Sequence, residues 1–335
     1  MKSILITGGA GFIGSHFTRY MLDRYPDYSV IVLDVLTYAG NLNNLKDVWD
    51  NPRFEFVHGD ITDREIVQSL AERTDAIVNF AAESHNDRAI LDPENAVRTN
   101  LNGVVVLLEA SRKFAHERFL QVSTDEVYGT TDGTFREVDA LEPNQPYSAA
   151  KAGAELIVRS YNKTFGLPTL ITRGSNTFGP YQYPEKIIPL FVTNLIDGKS
   201  VPLYGDGQQV RDWMYVEDHC RGIDAVLHHG LPGEAYNIGG GNERPNLEIV
   251  RLLLAQLHKD EGSVRFVKDR PGHDRRYSLD CTKISQIGYT PTTVGFEDRL
   301  NTTIDWYVQH EDWWRPTLSK EHEHQDFLRA WYADR

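Results

Sequence analysis

Between residues 123 and 151 the chain carries side chains whose types and spacing suit two linked reactions. Tyr147 and Lys151 stand four residues apart, which on a helix places them one turn apart on the same face. An ammonium beside a phenol favours the phenolate, and a free phenol, with a pKa of about 10, is otherwise too weak a base near neutrality. Upstream, the hydroxyl of Thr124 is followed directly by Asp125 and Glu126. Tyrosine, lysine and a hydroxyl together suit hydride abstraction from an alcohol. The neighbouring acids add an acid–base pair that hydride transfer alone does not need.

Such a site needs a nicotinamide, and the N-terminus predicts a place for one. Residues 3–7 (SILIT) form a short apolar run ending in Gly8-Gly9-Ala10-Gly11-Phe12-Ile13-Gly14. This pattern predicts a buried parallel strand, a tight turn and a helix start, where free amides and the helix dipole attract a pyrophosphate. The glycines fit Gly-x-Gly-x-x-Gly at 9, 11 and 14, and equally Gly-x-x-Gly-x-x-Gly at 8, 11 and 14. A second apolar run, Val30–Leu33, ends in Asp34, 20 residues after Gly14. There an acid holds ribose hydroxyls and repels a 2′-phosphate, so NAD is expected over NADP. Further strand-like runs precede Gly59-Asp60-Ile61 and Ala81-Ala82-Glu83-Ser84.

Strand-like and helix-like segments alternate to about residue 173, predicting an α/β fold with a Rossmann-type doubly wound parallel sheet. Beyond Gly174 the segments shorten between loops rich in Pro, Gly and Tyr, predicting a smaller C-terminal substrate-binding lobe. The expected division is a cofactor-binding unit over 1–174, a lobe over 175–314 with segments returning to the sheet, and a polar tail over 315–335. The net charge of −13 argues against nucleic-acid or anionic-membrane partners, so an anionic substrate must meet a local basic cluster. No apolar run reaches the roughly 18 residues of a membrane span. A strand at residue 3 leaves no room for a leader, and the two cysteines, Cys220 and Cys281, form no framework. A cytoplasmic protein is the expectation. Glu321-His322-Glu323-His324 lacks a trustworthy metal spacing, and no metal is expected.

The strings TGGAGFIGS, LTYAGNL, AAESH-x-DR, STDEVYG, PYSAAKA, GPYQYPEKIIP, YGDGQQVRDW, YNIGG and DRPGHDRRY run in order from residue 7 to residue 277. Through them the chain resembles the extended short-chain dehydrogenase/reductase family, and within it the nucleotide-sugar dehydratases. TGGAGFIG and Tyr-x-x-x-Lys mark the wider family; STDEVYG, PEKIIP and RPGHDRRY are more selective. The resemblance implies NAD held by Gly8, Gly11, Phe12, Ile13, Gly14, Asp34, Thr37, Asp60, Ile61, Phe80, Ala81, Ala82, Ser84, Thr99, Tyr147, Lys151 and Thr177. It implies a nucleotide-sugar substrate, dTDP-glucose, met by Ser84, Thr124, Asn176, Lys186, Arg211, Asn246, Asp269, Arg270 and His273.

The resemblance also implies the roles. Tyr147, ionised beside Lys151 and the cationic nicotinamide ring, takes the 4-hydroxyl proton, and Thr124 bonds the same oxygen. Glu126 removes the proton on carbon 5, and Asp125 protonates the departing 6-hydroxyl; spacing alone does not say which acid does which. His85 is expected to orient rather than to act as a base. Three departures flank the reactive end: Asn86 and Ala89 stand where the family more often has Val and Ser, and Thr177 replaces an Asn. Arg173-Gly174 also precede a turn where a Cys is common. A sugar-nucleotide 4-epimerase, a UDP- or CDP-sugar dehydratase and a non-catalytic NAD-binding protein remain alternatives. Finally, in a helix expected over about 95–113, the run 101–108 (LNGVVVLL) is apolar nearly all round, which suits either a core helix or one that continues into a partner subunit. With an apolar side on the Tyr147 helix (Ala150, Ala154, Ile157, Val158), it predicts a homodimer through a four-helix bundle.

Overall fold

A computed structural model describes residues 1–292, 294–320 and 331. The central sheet is built from β1 (Ser3–Thr7), β2 (Ser29–Asp34), β3 (Phe54–His58), β4 (Ala76–Asn79), β5 (Arg118–Thr124) and β6 (Thr169–Gly174). These strands read as continuous apolar runs because helices cover both faces of the sheet. The second half adds β7 (Asn176–Phe178), β8 (Val201–Tyr204), β9 (Val210–Tyr215), β10 (Ala235–Ile238), β11 (Glu243–Pro245) and β12 (Val264–Val267). Seven strands pair in parallel in the order β10-β6-β5-β4-β1-β2-β3. The chain order therefore reverses between β1 and β4, and a crevice opens beyond their carboxyl ends. β11-β9-β7 and β12-β8 form two small sheets beside it.

The helices that matter here are α1 (Phe12–Arg24), α2 (Arg64–Ala71), α3 (Asn86–Leu91), α4 (Pro93–Val97), α5 (Val104–Lys113) and α6 (Pro146–Phe165). α6 has clear local causes. Pro146 occupies its first turn, Gln145 and Ser148 form a capping box, and Gly166 ends it in the left-handed region at φ 68°. Its second residue is Tyr147.

The helix expected over 95–113 is not uniform. α4 and α5 are joined by a widened π turn over Arg98–Gly103, a distortion often found at functional sites. The apolar run 104–108 does not call for a partner, because Val104, Val106, Leu107 and Leu108 are buried against their own subunit, where α5 packs on α2 and α6. Ala150, Ala154 and Val158 also face inward. The exposed apolar side chains of this region are instead Leu91, Val97, Leu156 and Phe165.

A helix over Glu311–Lys320 leads into the tail, and Trp331 is buried with its Nε1 donating to the Tyr204 hydroxyl at 2.6 Å. Glu321–His324, Phe327 and Tyr332 lie outside the described residues. Among those described, no helix is long and apolar enough to cross a membrane, and no group of three metal-ligating side chains gathers. Both cysteines are free thiols.

Candidate active site

A cavity of about 500 Å³ lies at the carboxyl ends of the strands. It collects every residue expected to hold NAD, from Gly8 round to Thr177. The glycine register is resolved in favour of 8, 11 and 14, which line the cavity, whereas a Cβ on Gly9 would strike Val32 of β2 at 2.7 Å. Gly8 has φ +70°, and a Cβ there would sit 2.6 Å from the amide nitrogen of Ala81. Turn and β4 end thus approach more closely than any side chain permits. At Gly14 a Cβ would lie 2.4 Å from the Gly8 carbonyl oxygen, which brings α1 tightly against the turn. No side chain caps α1, and no acid lies in its first turn, so its leading amides are left for an anion. This cradle fits a dinucleotide pyrophosphate. Asp34 accepts from the amides of Ala10 at 2.9 Å and Leu36 at 2.8 Å, which fixes its carboxylate at the mouth; burial raises its pKa while these bonds oppose the rise.

The reactive end sits where β5 stops. Thr124 caps a short 3-10 turn: its Oγ1 accepts from the Glu126 amide and donates to Asp125 Oδ1, both at 3.2 Å. The turn aims both acids at the cavity. Asp125 is 2% exposed, and burial, then the charge of Glu126, raises its pKa well above the usual carboxylate range. A buried carboxyl beside another is thereby poised to keep its proton. Asn86, at the start of α3, donates from Nδ2 to Glu126 Oε2 at 2.8 Å. α3 packs on α6, so Glu126 is tied to the element that carries Tyr147.

Tyr147 and Lys151 are 8% and 3% exposed. Lys151 Nζ donates to the Val122 carbonyl at 2.6 Å, and burial lowers its pKa to about 8, against a raising effect of Glu155. Burial raises the Tyr147 pKa further from neutrality, the charges of Glu126 and Asp125 add to it, and a hydrogen bond with Thr124 opposes it. The lysine alone does not make a phenolate here; a further positive charge in the cavity is required to favour one.

The second lobe closes the other side. Lys186 donates to the Ser84 carbonyl at 2.6 Å, which ties the PEK loop to the end of β4. Arg211 donates to the carbonyls of Val210 (2.7 Å) and Asp274 (2.9 Å), and its guanidinium lies 4.3 Å from the Tyr277 ring centroid. Arg270 pairs with Asp87 at 3.4 Å, and its Nε is buried without a partner among the described residues, as is Oδ1 of Asn246. Ser84, Asn176 and His273 also line this part. Asp269 does not. It lies behind the wall, accepting from His273 Nδ1 at 2.6 Å and Gln209 Nε2 at 2.8 Å. Burial, then Arg270 and Arg211, lowers the pKa of His273 to about 3, so its ring is neutral there.

Further contacts hold the site from behind, and the first gives a form to the orienting role expected of His85. His85 caps α3 by accepting from the Arg88 amide at 3.4 Å. Arg173 points away from the cavity into a buried pair with Glu155 at 2.7 Å and donates to the Tyr128 hydroxyl at 2.6 Å. Thr177 is hydrogen-bonded to His219 Nδ1 at 2.8 Å, and a Cβ on Gly174 would strike that ring at 2.5 Å. Burial lowers the pKa of His219 to about 3. Glu185 binds Tyr38 at 3.1 Å and Arg88 at 3.2 Å, joining the loop after β2 to the second lobe. Apart from His85 and Arg88, the hydrogen-bonding partners come from different elements of the fold, so no local pattern signals them.

Comparison with known proteins agrees with this architecture. The family described as GDP-mannose 4,6 dehydratase matches residues 5–303. The low-salt glycan biosynthesis protein Agl12 of Haloferax volcanii is 52% identical over 92% of this chain and 99% of its own. A dTDP-glucose 4,6-dehydratase of an Actinoplanes species is 48% identical over 93% of this chain and 99% of its own. The crystal structure of DesIV, a dTDP-glucose 4,6-dehydratase from Streptomyces venezuelae solved with NAD bound, superposes with a TM-score of 0.92 at 52% identity, covering 94% of this chain and 99% of DesIV. With the glycine cradle, the Thr-Asp-Glu turn and the Tyr–Lys helix on one cavity, the chain belongs to the GDP-mannose 4,6 dehydratase family, a nucleotide-sugar branch of the extended short-chain dehydrogenase/reductases.

Proposed function

We propose that this chain is an NAD-dependent dTDP-glucose 4,6-dehydratase of deoxysugar biosynthesis, forming dTDP-4-keto-6-deoxyglucose. The observation that carries the reading is the buried Asp125–Glu126 pair opening on the same cavity as Tyr147 and the dinucleotide cradle. Gly8, Gly11, Gly14 and Asp34 would hold NAD, which would supply the redox chemistry of hydride removal at carbon 4 and its return at carbon 6. Tyr147 accepts the 4-hydroxyl proton, and Thr124 holds that oxygen. Lys151, propped on the Val122 carbonyl, supplies positive charge near the phenol. The 4-ketone acidifies carbon 5, and Glu126 takes that proton. Asp125, kept protonated by burial, gives its proton to the 6-hydroxyl, which leaves as water. A proton returned to carbon 5 completes the product. Arg211, Arg270, Lys186 and Asn246 receive the nucleotide diphosphate. The free Nε of Arg270 fits an anion best, because a buried donor without a partner is costly.

Residues 1–174 then serve as the cofactor-binding unit and 175–314 mainly as the sugar-nucleotide lobe. A homodimer joined through Val97 and Leu156, and a cytoplasmic setting for the two free thiols, complete the proposal. Light scattering that found a fully active monomer at micromolar concentration would remove the dimer.

The test is to incubate the protein with dTDP-, UDP- and CDP-glucose and weigh the products. dTDP-glucose should lose one water. A product of unchanged mass would favour a 4-epimerase, and preference for UDP- or CDP-glucose would correct the nucleotide. Two variants separate the stages. Tyr147→Phe should abolish the first oxidation, leaving no transient nicotinamide absorbance. Glu126→Gln should still show that absorbance but form product roughly 100- to 10,000-fold more slowly.

A further inference from the structure

Asn86 departs from the family's more usual valine, and it sits in the reactive end of the cavity at 5% exposure. Its carboxamide donates to Glu126 Oε2 at 2.8 Å. The orientation is chemically determined: a carboxylate only accepts, so the amide nitrogen must face it. The carbonyl oxygen of the same side chain is then left buried without a partner among the described residues. Such an orphan costs stability, and a residue serving only the fold would be apolar here. Asn86 begins α3, which His85 caps and which packs on the Tyr147 helix, so the carboxamide is carried on a held element.

We propose that Asn86 is a positioning residue for the elimination step: it holds the Glu126 carboxylate in place against the sugar. The inference rests on Glu126 being the base. Other groups face this carboxylate: Asp125 on the same turn, Tyr147 on α6, and Lys186, Arg211, Arg270 and Tyr277 from the second lobe. All of them remain when Asn86 alone is changed. A shift in behaviour then reports the lost donor, since a hydrogen bond to a carboxylate favours its charged form.

The experiment is the pH dependence of kcat in Asn86→Val, with Asn86→Ala in reserve should the branched side chain not be accommodated. The acid limb should move to higher pH, the direction expected when a carboxylate loses a hydrogen-bond donor. Deuterium uptake from solvent at carbon 5 should slow, while the first oxidation, read as transient nicotinamide absorbance, keeps its rate. Tm should be no lower than wild type, because the orphan carbonyl is gone. In a Glu126→Gln background, Asn86→Val should have no further effect on the residual rate. A pH profile superimposable on wild type would overturn the proposal. So would a fall in Tm with equal slowing of both stages, or an effect that persists without Glu126. A wild-type enzyme that released no water from any nucleotide sugar would instead remove the functional reading, and this inference with it.

Discussion

The two walls of the cavity are built in opposite ways. The wall over β1 and α1 is backbone. Its anion site is one contiguous stretch from Gly8 to Gly14, made of close approaches and the leading amides of α1, which no side chain caps. The wall from the second lobe is side chain. Lys186, Arg211, Asn246 and Arg270 arrive from four separate segments, and each cation is held by partners from elsewhere, such as the Ser84 and Asp274 carbonyls or Asp87. A backbone site needs only the right turn, so it is compact in sequence. A side-chain site must first keep buried cations in place, so its scaffold is as large as the lobe. The backbone wall suits an invariant pyrophosphate, while the side-chain wall can be retuned for one nucleotide sugar.

If the walls are this distinct, damage to each should stay on its own side. Arg211→Ala is expected to have the larger effect, raising KM for the sugar nucleotide roughly 10- to 100-fold while NAD content is unchanged. Steady-state kinetics and the absorbance of the purified protein check both halves. Gly8→Ala strains a position at φ +70° and pushes against the Ala81 amide. It should weaken NAD retention roughly tenfold and leave dTDP affinity by calorimetry as it was. Equal loss of both ligands in either variant would show that the walls are not separable.

The smallest effect lies on the seam between the walls. Burial and the charge of Glu126 raise the Asp125 pKa, so the folded state holds that proton more tightly than the unfolded chain. The stability this gives is fully present below the unfolded carboxyl value, about pH 4, and is lost as pH rises through the folded value. Asp125→Asn cannot ionise. Its Tm should match wild type near about pH 4 and exceed it by a few degrees at alkaline pH. A wild-type advantage at alkaline pH would mean that the carboxylate is stabilised where it stands.

The legibility of these features follows the same division. The glycine turn, the strand ends, Asp34 and the Tyr–Lys helix were readable because each is a pattern within a few residues. The glycine register was not, because it depends on Val32 packing against Gly9 from the next strand. Arg173, before a turn where the family often has a Cys, is half of a buried pair with Glu155 that nothing in its neighbouring residues signals. Asp269 shared a motif with Arg270 and His273 but lies behind them, since only folding decides which members of a loop face inward. The apolar run of α5 suits a core helix as well as a partner-covered one, because periodicity cannot tell a face covered by α2 and α6 from one covered by a second subunit.

The sequence by itself determined the parallel sheet, the dinucleotide turn and the set of reactive side chains. Strand apolarity, glycine sterics and helix spacing are local properties that hold in any context. Tertiary structure alone decided the protonation preferences and the alignments. Asp125 keeps its proton because the lobe buries it beside Glu126, Lys151 is spent in part on the Val122 carbonyl, and Asn86 meets Glu126 only because α3 folds against α6. Desolvation and Coulomb interactions depend on what surrounds a group in space, and those surroundings come from other elements of the fold, brought together only by folding.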